Sequence, residues 1–247
     1  MSLNQKDLAI LDKFNFNVKP VAVGFLIEKP DGVDKLDEKM TLCQMLKRAQ
    51  TGSSFYAGPE DHTCPVGPYI LGNRDIEKAF RSGHYGCELK VFKSRRANAK
   101  LYEYIPRIDK DVINYIAFSP LDKLSFEPDV LVLLADTSSQ VEILLRAMSY
   151  TTGKVWSSKS TGVLGCAWIL VYPYVTGELN YTVTGFGIGM KSRKLFKEGL
   201  FLVSIPFDLL PAILQNLKEM PWVHPLMAPD GEEFRKKVRI KVGLDRA

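Results

Sequence analysis

Apolar positions along this chain fall into short strand-like runs alternating with stretches at helical spacing. Leu3, Leu8, Leu11 and Phe14 are separated by charged residues and predict a short amphipathic helix. The run Val21–Ile27 reads as a largely buried strand, ended by a turn at Pro30-Asp-Gly32. Leu42, Met45, Leu46 and Ala49 repeat at helical spacing behind the N-cap candidate Thr41, so residues 42–50 are expected to form a helix stopped at Gly52. A strand at Ser53–Tyr56, a breaker-rich loop from Gly58 to Gly67 and a helix at Arg74–Ser82 follow. Glu88–Lys93 reads as a strand, with helix after Ala97.

The later half repeats the alternation. Tyr115–Phe118 and Asp129–Ala135 predict strands, and Ser138 or Ser139 caps a helix running through Tyr150. Lys154–Ser158 reads as a strand and Gly162–Val171 as helix in preference to buried strand. Leu179–Thr184 and Phe201–Ile205 are further strands; Ser192–Lys197 starts one helix and Phe207–Met220 forms another, with Pro211 in its first turn. Strands and helices alternate without a strict βαβ rhythm. The expected class is mixed α/β (α+β in character), with partly antiparallel pairing.

The order of events also echoes across the chain. A strand, a helix containing Leu46-Lys-Arg-Ala49, Gly52, aromatics, Cys64 and Gly72 recur as a strand, a helix containing Leu145-Arg-Ala147, Gly153, Trp156, Cys166 and Gly185, Gly187 and Gly189. Phe80 and Gly83 return as Phe196 and Gly199. The expectation is one domain of two pseudo-symmetric halves from an internal duplication, about 18–110 and 125–220, joined near Pro120–Pro128 and followed by a basic tail at 230–247. Ligands tend to occupy the seam of such a pair.

Composition narrows the class. With 247 residues, 46% apolar and 25% charged, the chain can bury a sizeable core and is not disordered by default. Its apolar runs are too short to cross a bilayer, and no secretion signal opens it, so a cytoplasmic address is expected. The net charge of +5 is mild, and no RRM or zinc-finger signature accompanies the basic clusters, so neither nucleic acid nor membrane is an expected partner. A homo-oligomer is compatible with the sequence.

Four cysteines, Cys43, Cys64, Cys87 and Cys166, are dispersed without a CxxC pair, as expected of free thiols. In His62-Thr-Cys64 an imidazole two residues from a thiol can depress its pKa, making Cys64 a candidate nucleophile with His62 as its activator. Cys43 falls beside the apolar stripe of its helix, where a side chain can look into a cleft. Convergence of Cys43, Cys64 and Cys166 about a pseudo-dyad would suit a thiolate metal or iron–sulfur site. The stretch Gly185-Phe-Gly187-Ile-Gly189-Met-Lys191-Ser192-Arg193 joins a strand to a helix; it is neither a Walker A loop nor GxGxxG, but its amides and cations could hold a phosphate or carboxylate.

These residues resemble the uncharacterised prokaryotic ArCR family over nearly the whole chain. The resemblance rests on Pro20-Val-Ala-Val, on Cys43-Gln44 with Ala49 and Gly52, on Cys64-x-x-Gly67, and on Leu71-Gly72. Gln140, Cys166 and the glycine-rich stretch ending in Ser192-Arg193 complete it. That family often has a further cysteine beside the first late glycine; here none follows Cys166, so a four-cysteine site could not be complete. The resemblance implies an arrangement, with no activity or cofactor attached. The leading expectation is a small anionic ligand or cofactor bound in the seam by Gly185, Gly187, Gly189, Lys191, Ser192 and Arg193, with Cys43, Gln44 and Cys166 lining it. The alternatives are a Cys64/His62 enzyme and a thiolate metal protein.

Overall fold

The computed structural model describes residues 5–184 and 187–244. Six strands, β1 (Val21–Leu26), β2 (Phe55–Ala57), β3 (Tyr115–Pro120), β4 (Val130–Ala135), β5 (Asn180–Val183) and β6 (Phe201–Pro206), form one sheet in the order β2-β3-β1-β4-β6-β5. Every pairing between these strands is antiparallel, and isolated parallel bridges join Lys35 to Tyr56 and Met40 to His62.

The central strands are apolar at almost every position because helices cover both faces of the sheet. Val21, Val23 and Phe25 of β1 and Val130, Val132 and Leu134 of β4 point to one layer, where the helix Leu42–Gln50 packs. A π-wound turn at Ala167–Val171, continued as the helix Tyr172–Thr176, covers the rest of that face. Ala22, Leu131, Leu133 and Ala135 point the other way, under the helices Ser138–Ser149 and Leu210–Glu219 and the N-terminal 3-10 turn Ala9–Phe14. The period-two alternation of Cβ directions thus divides one apolar run between two cores. The class is α/β, built in three layers on an antiparallel sheet.

Outward from the central β1–β4 pair, strand order is the same in both directions: first, third, second strand of each half. Both helices that follow the central strands begin with a reciprocal Thr–Gln capping box, Thr41 with Gln44 and Thr137 with Gln140. Those two helices nevertheless lie on opposite faces of the sheet. The sequence echo is thus followed in strand order and broken in helix placement, and the two halves do not superpose as whole units.

The segment between β3 and β4 passes from one side of β1 to the other, and Phe126 within it lies across Gly24. A Cβ at residue 24 would stand 2.9 Å from the Phe126 ring, so only glycine lets the crossing close.

Several expected boundaries shift. Lys154–Ser158 is not a strand; the chain there runs beside β5, and the attachment continues through side chains, with the Ser158 hydroxyl donating to the Tyr181 carbonyl and Asn180 bonding both backbone groups of Lys159. Glu88–Lys93 is not a strand either. A helix at His84–Glu88 packs Gly86 directly against the Asn98 carboxamide on the helix Arg95–Leu101, which forces the intervening residues into a tight turn. The Arg74–Ser82 helix contracts to Lys78–Arg81. The expected Ser192–Lys197 helix instead occupies Ile188–Ser192 and stops where Lys194 takes a left-handed φ of 51°. The N-terminal helix is α at Gln5–Leu8 and then tightens to 3-10. Among the described residues no helix is long and apolar enough to cross a membrane.

The β1–β4 ladder ends after Val23 and is continued by a side chain. Asp129 donates its backbone N–H to the Val23 carbonyl at 2.8 Å and accepts the Phe25 N–H on Oδ2 at 2.6 Å, while its own carbonyl accepts from Phe207. Asp129→Ala leaves the Phe25 N–H without this partner. It should lower the free energy of unfolding in urea by about 1–3 kcal/mol; an unchanged midpoint would show that the carboxylate is dispensable.

Candidate functional site

The helix Leu42–Gln50 starts at the edge of the first core layer because Thr41 caps it. The Gln44 N–H bonds the Thr41 hydroxyl at 3.3 Å and the Gln44 carboxamide oxygen accepts the Thr41 N–H at 3.0 Å. This turn places Cys43, which is buried, with its sulfur 3.1 Å from the Thr41 hydroxyl oxygen. The hydroxyl has one proton and two acceptors in reach, Cys43 Sγ and Gln44 Oε1. Turned toward the sulfur, it supports a thiolate.

Three other segments meet this turn around one cavity of about 70 Å³. Cys64 precedes and Val66 and Gly67 open a short helix, Val66–Ile70, after β2; Leu164, Gly165 and Cys166 precede the π-wound turn; Gly187, Gly189, Met190 and Arg193 belong to the helix Ile188–Ser192 and its two ends. First-half and second-half residues therefore share one wall. Gly165 and Gly187 lie side by side, where a Cβ on either would stand in ordinary contact, 3.9 Å from the other's Cα. Leu164 holds a left-handed φ of 58°, a conformation that costs a side-chain-bearing residue free energy. Lys47, one turn along the helix from Cys43, lies 5.7 Å from the ring centre of Phe196 and ties the helix to the second half.

The three sulfurs influence one another. Burial pushes the Cys43 thiol up, against the pull of the Thr41 hydroxyl and the Arg193 guanidinium, and the neighbouring Cys64 pushes it the same way as burial. Burial raises the Cys166 thiol well above its ordinary value, and proximity to Cys43 and Cys64 adds to the shift. Arg193 is the cation of the site. Its Nη1 donates to the Gly189 carbonyl at 2.8 Å, which anchors the guanidinium beside the cavity.

The other candidates among the described residues lie outside this lining. Lys191 pairs with Glu198 at 3.0 Å, and the Ser192 hydroxyl donates back to the Gly189 carbonyl. Gln44 serves as the capping partner of Thr41. Gly185 lies outside the described residues. Cys87 sits apart, on the helix His84–Glu88. Thr41, Gly165 and Leu164 belong to the site although their residue types carry no chemical signature; their signal was adjacency to Cys43 and Cys166. Among the described residues, no three His, Cys, Asp or Glu side chains are placed to hold a metal ion.

His62 has a different environment. Both ring nitrogens are buried without a hydrogen-bond partner among the described residues, and the ring packs on Gly67, where a Cβ would fall 2.7 Å from Nδ1. No hydrogen bond joins it to Cys64. Burial lowers the imidazole to about 4 from 6.5, so it is neutral at pH 7. The unfolded chain therefore takes up this proton first as pH falls. Stability owed to a neutral His62 is constant above pH 6.5 and declines toward pH 4, by about 3 kcal/mol in all. In urea titrations across that range, His62→Leu should flatten this part of the acid limb; a limb of unchanged depth would mean that other groups drive it.

The comparisons with known proteins agree on one relationship. An uncharacterised protein of the archaeon Methanocaldococcus jannaschii is 26% identical over 196 residues, covering 77% of this chain and 82% of that protein. No solved structure matches. Residues 9–216 match the family described as uncharacterised ArCR, a span that holds all six strands and every wall of the three-cysteine cavity. The chain belongs to the uncharacterised ArCR family.

Proposed function

We propose that this protein binds a small anionic ligand, or the anionic group of a larger one, in the cavity between its two halves, with Arg193 as the counter-charge and Cys43, Cys64 and Cys166 as the surrounding wall. The observation that carries the reading is the convergence of four separate chain segments, bringing three thiols and one anchored guanidinium to one small cavity. A cavity of about 70 Å³ compares with about 30 Å³ of liquid per water molecule. That suits a carboxylate or an inorganic oxyanion. Guanidinium groups bind such oxygens through paired, charge-assisted hydrogen bonds.

Two features support binding over nucleophilic catalysis by a cysteine of this cavity. His62 is neutral, buried and not bonded to the thiol. The thiols of Cys43 and Cys166 are raised, so both are protonated at neutral pH. Thiolate–metal coordination draws no support from the placement of the described side chains. All four cysteines are free, which fits a reducing compartment and the cytoplasm as the place of action.

Calorimetric titration with acetate, phosphate and sulfate tests the reading. At least one should bind, and Arg193→Met should weaken it tenfold or more, while Lys191→Met should change it less than threefold. Equal affinity in the Arg193 variant would refute the assignment. Saturating anion should also slow alkylation of Cys64 by iodoacetamide in the parent protein and not in Arg193→Met.

A further inference from the structure

Away from the three-thiol cavity, a cleft of about 250 Å³ opens between the turn that follows the helix Val66–Ile70 and the segment leading into β3. Its walls are joined at the floor. The Ile108 N–H donates to the Ile70 carbonyl at 2.8 Å. Gly72, at a left-handed φ of 75°, lies so close to the facing wall that a Cβ there would stand 2.3 Å from the Asp109 carbonyl oxygen. Asn73 holds the turn itself, donating its backbone N–H to the Pro68 carbonyl and its side-chain amide to the Ile113 carbonyl. Backbone bonds thus fix the frame of the cleft.

Four cations line this frame: Arg74 on the turn, Arg81 at the end of the helix Lys78–Arg81, and Arg107 and Lys110 on the facing segment. Among the described residues, none of the four is paired with a carboxylate. Elsewhere on the surface Lys35, Arg48 and Lys218 each meet one. The Arg107 guanidinium lies 5.8 Å from the ring centre of the buried Tyr69, so an aromatic face steadies it without using its N–H donors. Asp75 and Asp109 line the same cleft, which leaves a formal excess of two positive charges. Like charges gathered in one cleft repel, and a multiply charged anion relieves that repulsion.

We infer that this cleft binds a phosphorylated small molecule, with Arg74, Arg81 and Arg107 taking phosphoryl oxygens and Lys110 adding a fourth charge. Guanidinium groups match phosphoryl oxygens through paired, charge-assisted hydrogen bonds, and an ammonium adds a point charge. The volume is that of roughly eight water molecules in the liquid, enough for a phosphoryl group and part of the molecule that carries it. A nucleic-acid backbone calls for a basic groove that tracks along it; these cations converge on one cleft. The site shares no lining residue with the cavity at Arg193 and does not depend on that assignment.

Calorimetric titration of the full chain with ribose 5-phosphate and with inorganic pyrophosphate tests the inference, with unphosphorylated ribose as the control. At least one of the two phosphates should bind with a submillimolar Kd, and ribose should not. The tighter of the two tells a phosphate monoester from a diphosphate. Arg74→Gln combined with Arg107→Gln should weaken binding tenfold or more, and Arg81→Gln, on a separate helix, threefold or more. All three side chains are exposed, so these variants should keep the fold. Lys236→Gln combined with Lys241→Gln removes the same charge from the helix Gly231–Lys241 and should change affinity less than twofold, as should Arg193→Met. Failure of both phosphates to bind would overturn the inference. So would an equal loss in the Lys236 and Lys241 variant, which marks general charge attraction. A loss in Arg193→Met that the Arg74 and Arg107 variant does not share would overturn it too, by moving the phosphate to the other cavity.

Discussion

Three residue pairs hold this sheet together at its middle: Val21 with Val132, Ala22 with Leu131 and Val23 with Val130. Beyond them the ladder is taken over by Asp129, whose backbone and side chain reach β1 on one side and whose carbonyl receives Phe207, just past β6, on the other. Everything else in the fold hangs from this short junction. It sets which residues of β1 and β4 face each helical layer, and so which core receives the helix Leu42–Gln50. A slip of one residue would exchange the two faces of a strand and send the apolar set of one layer into the other. Burial of the carboxylate raises the Asp129 pKa, against the hydrogen bond from Phe25, so the junction accepts an unfavourable environment for the sake of pairing.

The cavity of three thiols follows from that geometry. Its parts lie at the ends of sheet elements that become neighbours once β1 and β4 are side by side: the cap of the helix after β1, the start of the helix after β2, the entry to the π-wound turn and the helix after β5. Each of these segments lends the lining at most one thiol or one cation. Gly165 and Gly187 bring the last two side by side, and next to them Leu164 holds a left-handed φ. Strain of this kind persists where surrounding packing over-determines it.

Much of this was legible in the chain and some was not. The strands at the centre were readable because β1 and β4 are long apolar runs, and the helix Leu42–Gln50 because a capping threonine preceded a clear stripe. Convergence of Cys43, Cys64 and Cys166 was legible only through the echo between the halves, and strand order agrees with that echo. The placement of the helices does not, since nothing in local spacing tells a helix which face of a sheet it will cover. Lys154–Ser158 alternates like a strand, yet it is attached without a ladder, through the Ser158 hydroxyl on the Tyr181 carbonyl and through Asn180 on the backbone of the following Lys159. The His62–Cys64 spacing suggested a pair; tertiary packing of the imidazole on Gly67 decided otherwise.

The position of β1 also constrains how the molecule can be made. Val21 pairs with Pro120 on one edge and Val132 on the other, both about a hundred residues further along the chain. The most apolar strand near the N-terminus therefore leaves the ribosome with neither neighbour yet synthesised. Such distant pairings incur loop-closure entropy before any contact rewards it, which slows folding, and an open apolar edge is a template for association. Nor does a break between the halves give two self-sufficient pieces: an N-terminal fragment ending before β4 would keep β3 on one side of β1 and expose the other. For this chain, completing the second half is the condition under which the first half's central strand becomes safe from aggregation.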